Sequence, residues 1–112
     1  MTSVPILDAS TTIQDASAAM LDARVEAAVI LDGGKLRGLL TASDVAAALA
    51  EGRDARSTPV AAVSSPDPPL AQAKEPLAEA RQRMRAAQNS LAVVIGEDGH
   101  PVGLLAVDGA VL

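Results

Sequence analysis

Ala28-Val29-Ile30-Leu31-Asp32-Gly33-Gly34, followed by Gly38-Leu39-Leu40, decides the fold, because the chain contains it twice. The apolar run returns 64 residues later as Ala92-Val93-Val94-Ile95, and after one inserted residue the glycine and its leucines return as Gly103-Leu104-Leu105. Working outward, Ile13-Gln14-Asp15-Ala16 matches Leu77-Ala78-Glu79-Ala80, and Met20 matches Met84. A continuous apolar run with β-branched residues reads as a buried strand. The Asp32-Gly33-Gly34 and Asp98-Gly99 steps supply the positive φ that a tight hairpin needs. A period above 50 residues present only twice is not a solenoid. The reading is a pair of helix–strand–turn–strand units related by a pseudo-two-fold axis. Such a pair has clefts between its halves, where ligands bind.

The remaining elements follow from local chemistry. Val4 to Leu7 is β-prone but holds Pro5, which fits an edge strand. Thr12 is a helix N-cap with Asp15 as its capping-box partner. Ile13, Ala16, Met20 and Leu21 then form one apolar helical face. Leu36 to Leu40 is the return strand, Thr41 caps a helix over roughly Ser43 to Ala50, and Gly52 ends it. Glu51 to Pro69 connects the copies, with Val60 to Val63 apolar enough to pack. In the second copy Pro76 suits a helix start, the helix runs to about Ala87, and Leu77, Ala80, Met84 and Ala87 face inward. Arg81, Arg83 and Arg85 read as a solvated face, since alternate residues do not share one side of a helix. The strand Leu91 to Ile95 and the return strand Val102 to Ala106 follow. The final helix is short or missing.

Composition narrows the function. The 112 residues include no Phe, Tyr, Trp or Cys and a single histidine, His100. Stacking platforms for single-stranded nucleic acid are therefore absent, as are disulfides and thiolate metal sites. The net charge of −5 disfavours binding to DNA or to an anionic membrane. No signal peptide is visible in the sequence and no apolar run approaches a membrane span, so a soluble, cytoplasmic domain is expected. No nucleophile–base pair, carboxylate pair or glycine-rich phosphate loop can be assembled, so no enzyme is expected.

The sharpest motif is Gly38-Leu39-Leu40-Thr41-Ala42-Ser43-Asp44. A strand ends, a hydroxyl residue turns the chain, and an acid lies three residues on at a helix start. Free N–H groups there suit a phosphate, and a carboxylate can accept the hydroxyls of a ribose. The same residues also make an ordinary helix cap, and both readings stay open on this segment. Arg53 and Arg56 follow the helix and could reach a bound phosphate, although exposed loop arginines are common.

The order of elements, the G-h-h-T-x-x-D motif and the duplication together resemble a tandem pair of cystathionine-β-synthase (CBS) domains, the Bateman module. The resemblance covers Val4 to Leu112 and divides the chain into repeats 1–56 and 57–112. It implies an α/β (α+β) fold of two βαββα repeats and a regulatory module that binds AMP, ADP, ATP or S-adenosylmethionine in a cleft between them. It also implies a homodimer and an effector protein or domain, without nucleic acid or membrane insertion. Carried over residue by residue, the first motif supplies Leu39, Thr41 and Asp44. The segment leading into the second copy supplies Ser64, Ser65, Asp67 and Pro69, and the second strand start supplies Ser90 and Leu91. The sister motif, Gly103-Leu104-Leu105-Ala106-Val107-Asp108-Gly109, has Ala106 for the hydroxyl and Gly109 for the acid, with Asp108 out of register. That cleft is expected to be empty or weak. The alternative is a purely structural dimerisation domain in which Thr41 and Asp44 only cap a helix.

Overall fold

The computed structural model describes residues 4–107. Its order is β1 (Ile6–Asp8), α1 (Ile13–Ala23), β2 (Ala27–Asp32), β3 (Lys35–Thr41), α2 (Ala42–Ala50), a 3-10 turn at Val60–Ala62, β4 (Ser65–Pro66), β5 (Leu70–Gln72), α3 (Leu77–Ala86), β6 (Leu91–Ile95) and β7 (Pro101–Ala106). The class is α+β, and the chain divides into two compact units, with the division after Asp67.

In the first unit the sheet order is β1-β2-β3-β4. β1 runs parallel to β2, β2 and β3 form the hairpin, and β4 pairs antiparallel with β3 through Gly38–Pro66 and Leu39–Ser65. Gly33 and Gly34 turn the hairpin with φ of 60° and 82°, which only glycine adopts freely. α1 buries Ile13, Ala16 and Met20. They sit at i, i+3 and i+7, one face of a 3.6-residue helix. Leu21, expected on that face, is 78% exposed, because it lies a full 100° step around the helix from Met20. Thr12 Oγ1 accepts the Asp15 N–H at 3.2 Å, so this cap is formed from one side.

The core of this unit joins Ala9, Ala16, Met20, Ala28, Ile30 and Leu40 to Val60 from the connecting segment. Val60 is fully buried, which stabilises by roughly 1.5–3 kcal/mol. Its N–H donates to Thr11 O at 2.8 Å, and the Ala61 N–H donates to Ala9 O at 3.2 Å. The Ile13 N–H donates to Thr58 O at 3.0 Å. The expected three-stranded sheet is thus extended to four strands. The connection folds back, buries its valine and lays Ser65 and Pro66 along β3.

The second unit has the sheet order β5-β6-β7 among the described residues. β5 runs parallel to β6, and β6 and β7 form the second hairpin, with Gly99 at φ 83°. Its core is Ala71, Ala80, Met84, Ala92 and Leu105. Two positions expected inside are outside: Leu77 is 45% exposed and Ala87 is exposed. Ala87 closes the helix as its C-cap, past the turn that faces the sheet. Pro76 stands at the N-cap with no side-chain hydrogen bond, one place before the first helical residue. The expected arginine face is partly tied down. Arg81 Nε donates to Val107 O at 3.1 Å, and Arg83 forks onto Glu75 at 2.7 and 2.9 Å and donates to Leu70 O at 3.0 Å. The expectation of a short or missing final helix, and the Asp108 and Gly109 departures, lie outside the described residues.

Candidate functional site

β3 delivers its last residue, Thr41, into the N-cap of α2 with extended φ and ψ of −114° and 163°. The cap is reciprocal. Thr41 Oγ1 accepts the Asp44 N–H at 3.2 Å, and Asp44 Oδ2 accepts the Thr41 N–H at 2.9 Å. The capping role is therefore realised, and it uses one carboxylate oxygen. Oδ1 accepts nothing from the described residues and keeps its lone pairs for another donor. Asp44 is half-buried and stands in the first turn of α2.

Beside this cap, the β4 pairing sets Ser65 opposite Leu39, two residues before Thr41. Gly38 makes that approach possible, since a side chain there would run into the Ser65 carbonyl oxygen. Ser64 follows the 3-10 turn, with its N–H bonded to Val60 O at 2.8 Å. Asp67 ends the unit at φ 50°, a left-handed conformation that aspartate tolerates better than most residues. The structure thus gathers Leu39, Thr41, Asp44, Ser64 and Ser65 around one strand end. Pro69, Ser90 and Leu91 belong to the second unit. There the Pro69 carbonyl accepts the Val93 N–H at 2.8 Å, Ser90 O accepts the Val107 N–H at 2.9 Å, and Leu91 opens β6 opposite Ala106.

A depression of about 260 Å³ opens next to Asp44, lined also by Ala47, Ala48, Glu51, Arg53 and Val63. It is smaller than the roughly 300–1,000 Å³ of a typical small-molecule pocket, so it offers room for part of a nucleotide. The small side chains at Ala47 and Ala48 leave the space open. Arg53 supplies a cation whose Nε stands 3.7 Å from Glu51 Oε2, an exposed pair of little strength that another anion could replace. Glu51, Ala47 and Ala48 were not among the site residues read from the sequence, although positions 44, 47, 48 and 51 share one helical face. The Arg56 N–H instead closes a local turn on Asp54 Oδ1 at 2.9 Å. His100 stays on the hairpin, with Nδ1 3.1 Å from Asp98 Oδ2. Asp98 is held below its ordinary value mainly by the His100 backbone N–H. Among the described residues no cluster of His, Cys, Asp or Glu could hold a metal ion, and no helix is long and apolar enough to cross a membrane.

The duplicated α+β pattern and the capped strand end define a class, and sequence comparison fixes it. The CBS domain family matches residues 1–51 and 60–108, so this chain belongs to the CBS-domain family as a tandem pair. The fold is similar to that of CBS domain protein PAE2072 from Pyrobaculum aerophilum, solved with AMP. The TM-score is 0.83 at 21% identity, covering 96% of this chain and 83% of that one. It is also similar to an uncharacterised conserved protein from Pyrococcus horikoshii, with TM-score 0.80, 23% identity and 96% and 82% coverage. A third similar structure is the CBS domain pair of protein MJ0100 with 5′-methylthioadenosine and S-adenosyl-L-methionine, with TM-score 0.81, 20% identity and 96% and 88% coverage. No curated protein matches the sequence significantly.

Proposed function

We propose that the chain is a regulatory module that senses an adenosine nucleotide or S-adenosylmethionine. The ribose is held by Asp44 Oδ1 and the phosphate lies near Thr41 and Ser65. The carrying observation is the α2 start, where a half-buried carboxylate keeps one oxygen unused beside Ser65 and the Arg53-lined depression. The bound AMP of PAE2072 and the bound S-adenosyl-L-methionine of MJ0100 support this ligand class. In this reading the repeats are 1–56 and 57–112. Ser64, Asp67, Pro69, Ser90 and Leu91 complete the site, and the base rests on apolar and backbone groups. The module works as a cytoplasmic homodimer on an effector protein or domain, catalyses nothing itself, and needs no cofactor beyond its ligand.

Calorimetric titration with AMP, ADP, ATP and S-adenosylmethionine tests the reading. One site per chain is expected, because only the first motif carries both the hydroxyl and the acid. A hydrogen bond to a charged acceptor is worth roughly 1.5–3 kcal/mol, so Asp44→Ala should weaken binding about 10- to 150-fold, while Asp108→Ala should leave it unchanged. Two equal sites, or equal loss from both changes, would overturn the assignment. The closed Thr41–Asp44 box favours a second reading, a structural domain with no physiological nucleotide. Asp44→Asn separates the two, since it retains an acceptor for the cap but loses the charge. The structural reading gains if no adenosine compound raises the melting temperature in a dye-based assay.

A further inference from the structure

The depression beside Asp44 takes its lining from two fixed pieces of backbone. The first is the end of α2, which closes in a Schellman turn. The Gly52 N–H donates to Leu49 O at 3.0 Å and the Arg53 N–H to Ala48 O at 3.1 Å, with Gly52 at φ 88°. Arg53 therefore starts from a set point past the helix end, and its side chain joins Asp44 and Glu51 on the lining. The second piece is Ala62 and Val63. Their N–H groups donate to Pro59 O at 3.0 Å and to Val60 O at 3.1 Å, and Val60 is anchored in the core. Asp44 and Glu51 lie two helical turns apart, about 10 Å along the axis.

The charged groups on this lining are two carboxylates and one guanidinium. Arg53 Nε stands 3.7 Å from Glu51 Oε2, with the side chains 44% and 67% exposed, so the pair is weak and open to exchange. A ribose on Asp44 Oδ1 can send its 5′ substituent over Thr41 and Ser65 or along α2 into the depression. A phosphate chain is badly matched to the depression, where it meets two carboxylates for one cation. A tail that carries both signs is well matched. We propose that the depression selects S-adenosylmethionine over the adenine nucleotides, by holding its amino-acid tail between Glu51 and Arg53. This rests on the reading in which an adenosine ligand places its ribose on Asp44, and it decides between the two kinds of ligand that reading admits. Arg53 leaves Glu51 and forks onto the ligand carboxylate. Glu51 accepts the ligand ammonium, and Asp44 favours the sulfonium beside the ribose. Each charge on the lining then faces one of opposite sign.

Calorimetric titration of the full chain in metal-free buffer reads the selection. The ligands are S-adenosylmethionine, S-adenosylhomocysteine, 5′-methylthioadenosine, AMP and ATP. S-adenosylmethionine should bind most tightly. Each exposed charge pair contributes about 2- to 5-fold. S-adenosylhomocysteine, which lacks the sulfonium charge, should therefore bind about 2- to 5-fold more weakly. 5′-Methylthioadenosine lacks the amino acid as well and should bind about 10- to 100-fold more weakly. Two variants at exposed positions carry the sharper readout. Glu51→Gln and Arg53→Gln should each weaken S-adenosylmethionine about 2- to 5-fold, and Glu51→Gln should not weaken AMP or ATP. A merely structural role would move all ligands alike. The selection is overturned if AMP or ATP binds as tightly as S-adenosylmethionine, or if 5′-methylthioadenosine does. It is also overturned if Glu51→Gln weakens every ligand equally. Asp44→Asn separates this failure from failure of the ribose reading, since it should weaken every adenosine compound. If it does so and the selection is absent, only the tail assignment falls. If it changes no affinity, or if no adenosine compound binds the unmutated chain, both fall.

Discussion

Ile13 and Leu77 begin the same helix in two copies of one pattern, yet one is sealed in a core and the other stands 45% exposed. Their surroundings in sequence are nearly interchangeable. What differs is the segment that comes back to cover them. In the first unit the chain after α2 returns, hydrogen-bonds to the helix start and buries Val60. In the second unit Arg83 on Glu75 ties α3 to the residues just before its start, and Arg81 on the Val107 carbonyl ties its middle to the end of β7. Local patterning thus places the elements, and the covering segment decides which apolar residues become core.

This contrast can be broken most forcefully at Val60. Val60→Asp puts an unpaired charge into the first core and should cost roughly 3–5 kcal/mol in denaturant unfolding. A loss under about 1 kcal/mol would mean that the segment is not integral to the unit. Gly38→Ala comes next. Its new methyl meets the Ser65 carbonyl, so β4 must shift, at a cost of about 1–3 kcal/mol. If the proposed nucleotide site includes Ser65, nucleotide affinity should fall with it, because the shift moves Ser65 from its place opposite Leu39. The caps give a smaller effect. Thr12→Ala removes a formed cap and should cost about 1 kcal/mol, whereas Pro76→Ser adds a cap that α3 lacks and should raise the melting temperature. Leu77→Lys should change stability by no more than about 0.5 kcal/mol, as at other exposed sites, while Ile13→Lys should prevent folding of the first unit.

The smallest effect is a pH dependence carried by Glu75 in the second unit. The Arg83 hydrogen bonds, and secondarily the Gln72 N–H, hold Glu75 below its ordinary value of 4.5. A lowered folded value means that the stabilisation is complete above the unfolded value and is lost as pH falls through the folded one. Melting temperatures followed downward from pH 6 should therefore show a drop below about pH 4.5 that Glu75→Gln reduces. An unchanged slope in that variant would move the acid sensitivity to Asp8 or Asp98, both also lowered by local hydrogen bonds.

The strands, hairpins and helices were legible because apolar runs and Asp-Gly turns are local signals. The reciprocal cap at Thr41 and Asp44 was legible for the same reason. Leu21, Leu77 and Ala87 were not, since helical spacing gives a face only to within about one residue and burial depends on distant segments. β4 was hidden because Ser65 and Pro66 carry no strand propensity and pair only where Gly38 admits them. The depression beside Asp44 was half legible. Arg53 could be suspected from its position after the helix, but Glu51 comes into view only once α2 is drawn as a helix and its Asp44 face is followed.

The return of residues 58–66 onto the first unit sets the period of duplication out of step with the unit of packing. A protease cut after Arg56 would fall at the seam between repeats and yet leave Val60 and β4 embedded in the other fragment's core. The two pieces would act as complementing fragments, each holding what the other lacks. A single repeat copied alone into another protein would carry either an unfilled core or a plug without its hole. Duplication at this spacing therefore makes the pair, and not the repeat, the smallest inheritable part.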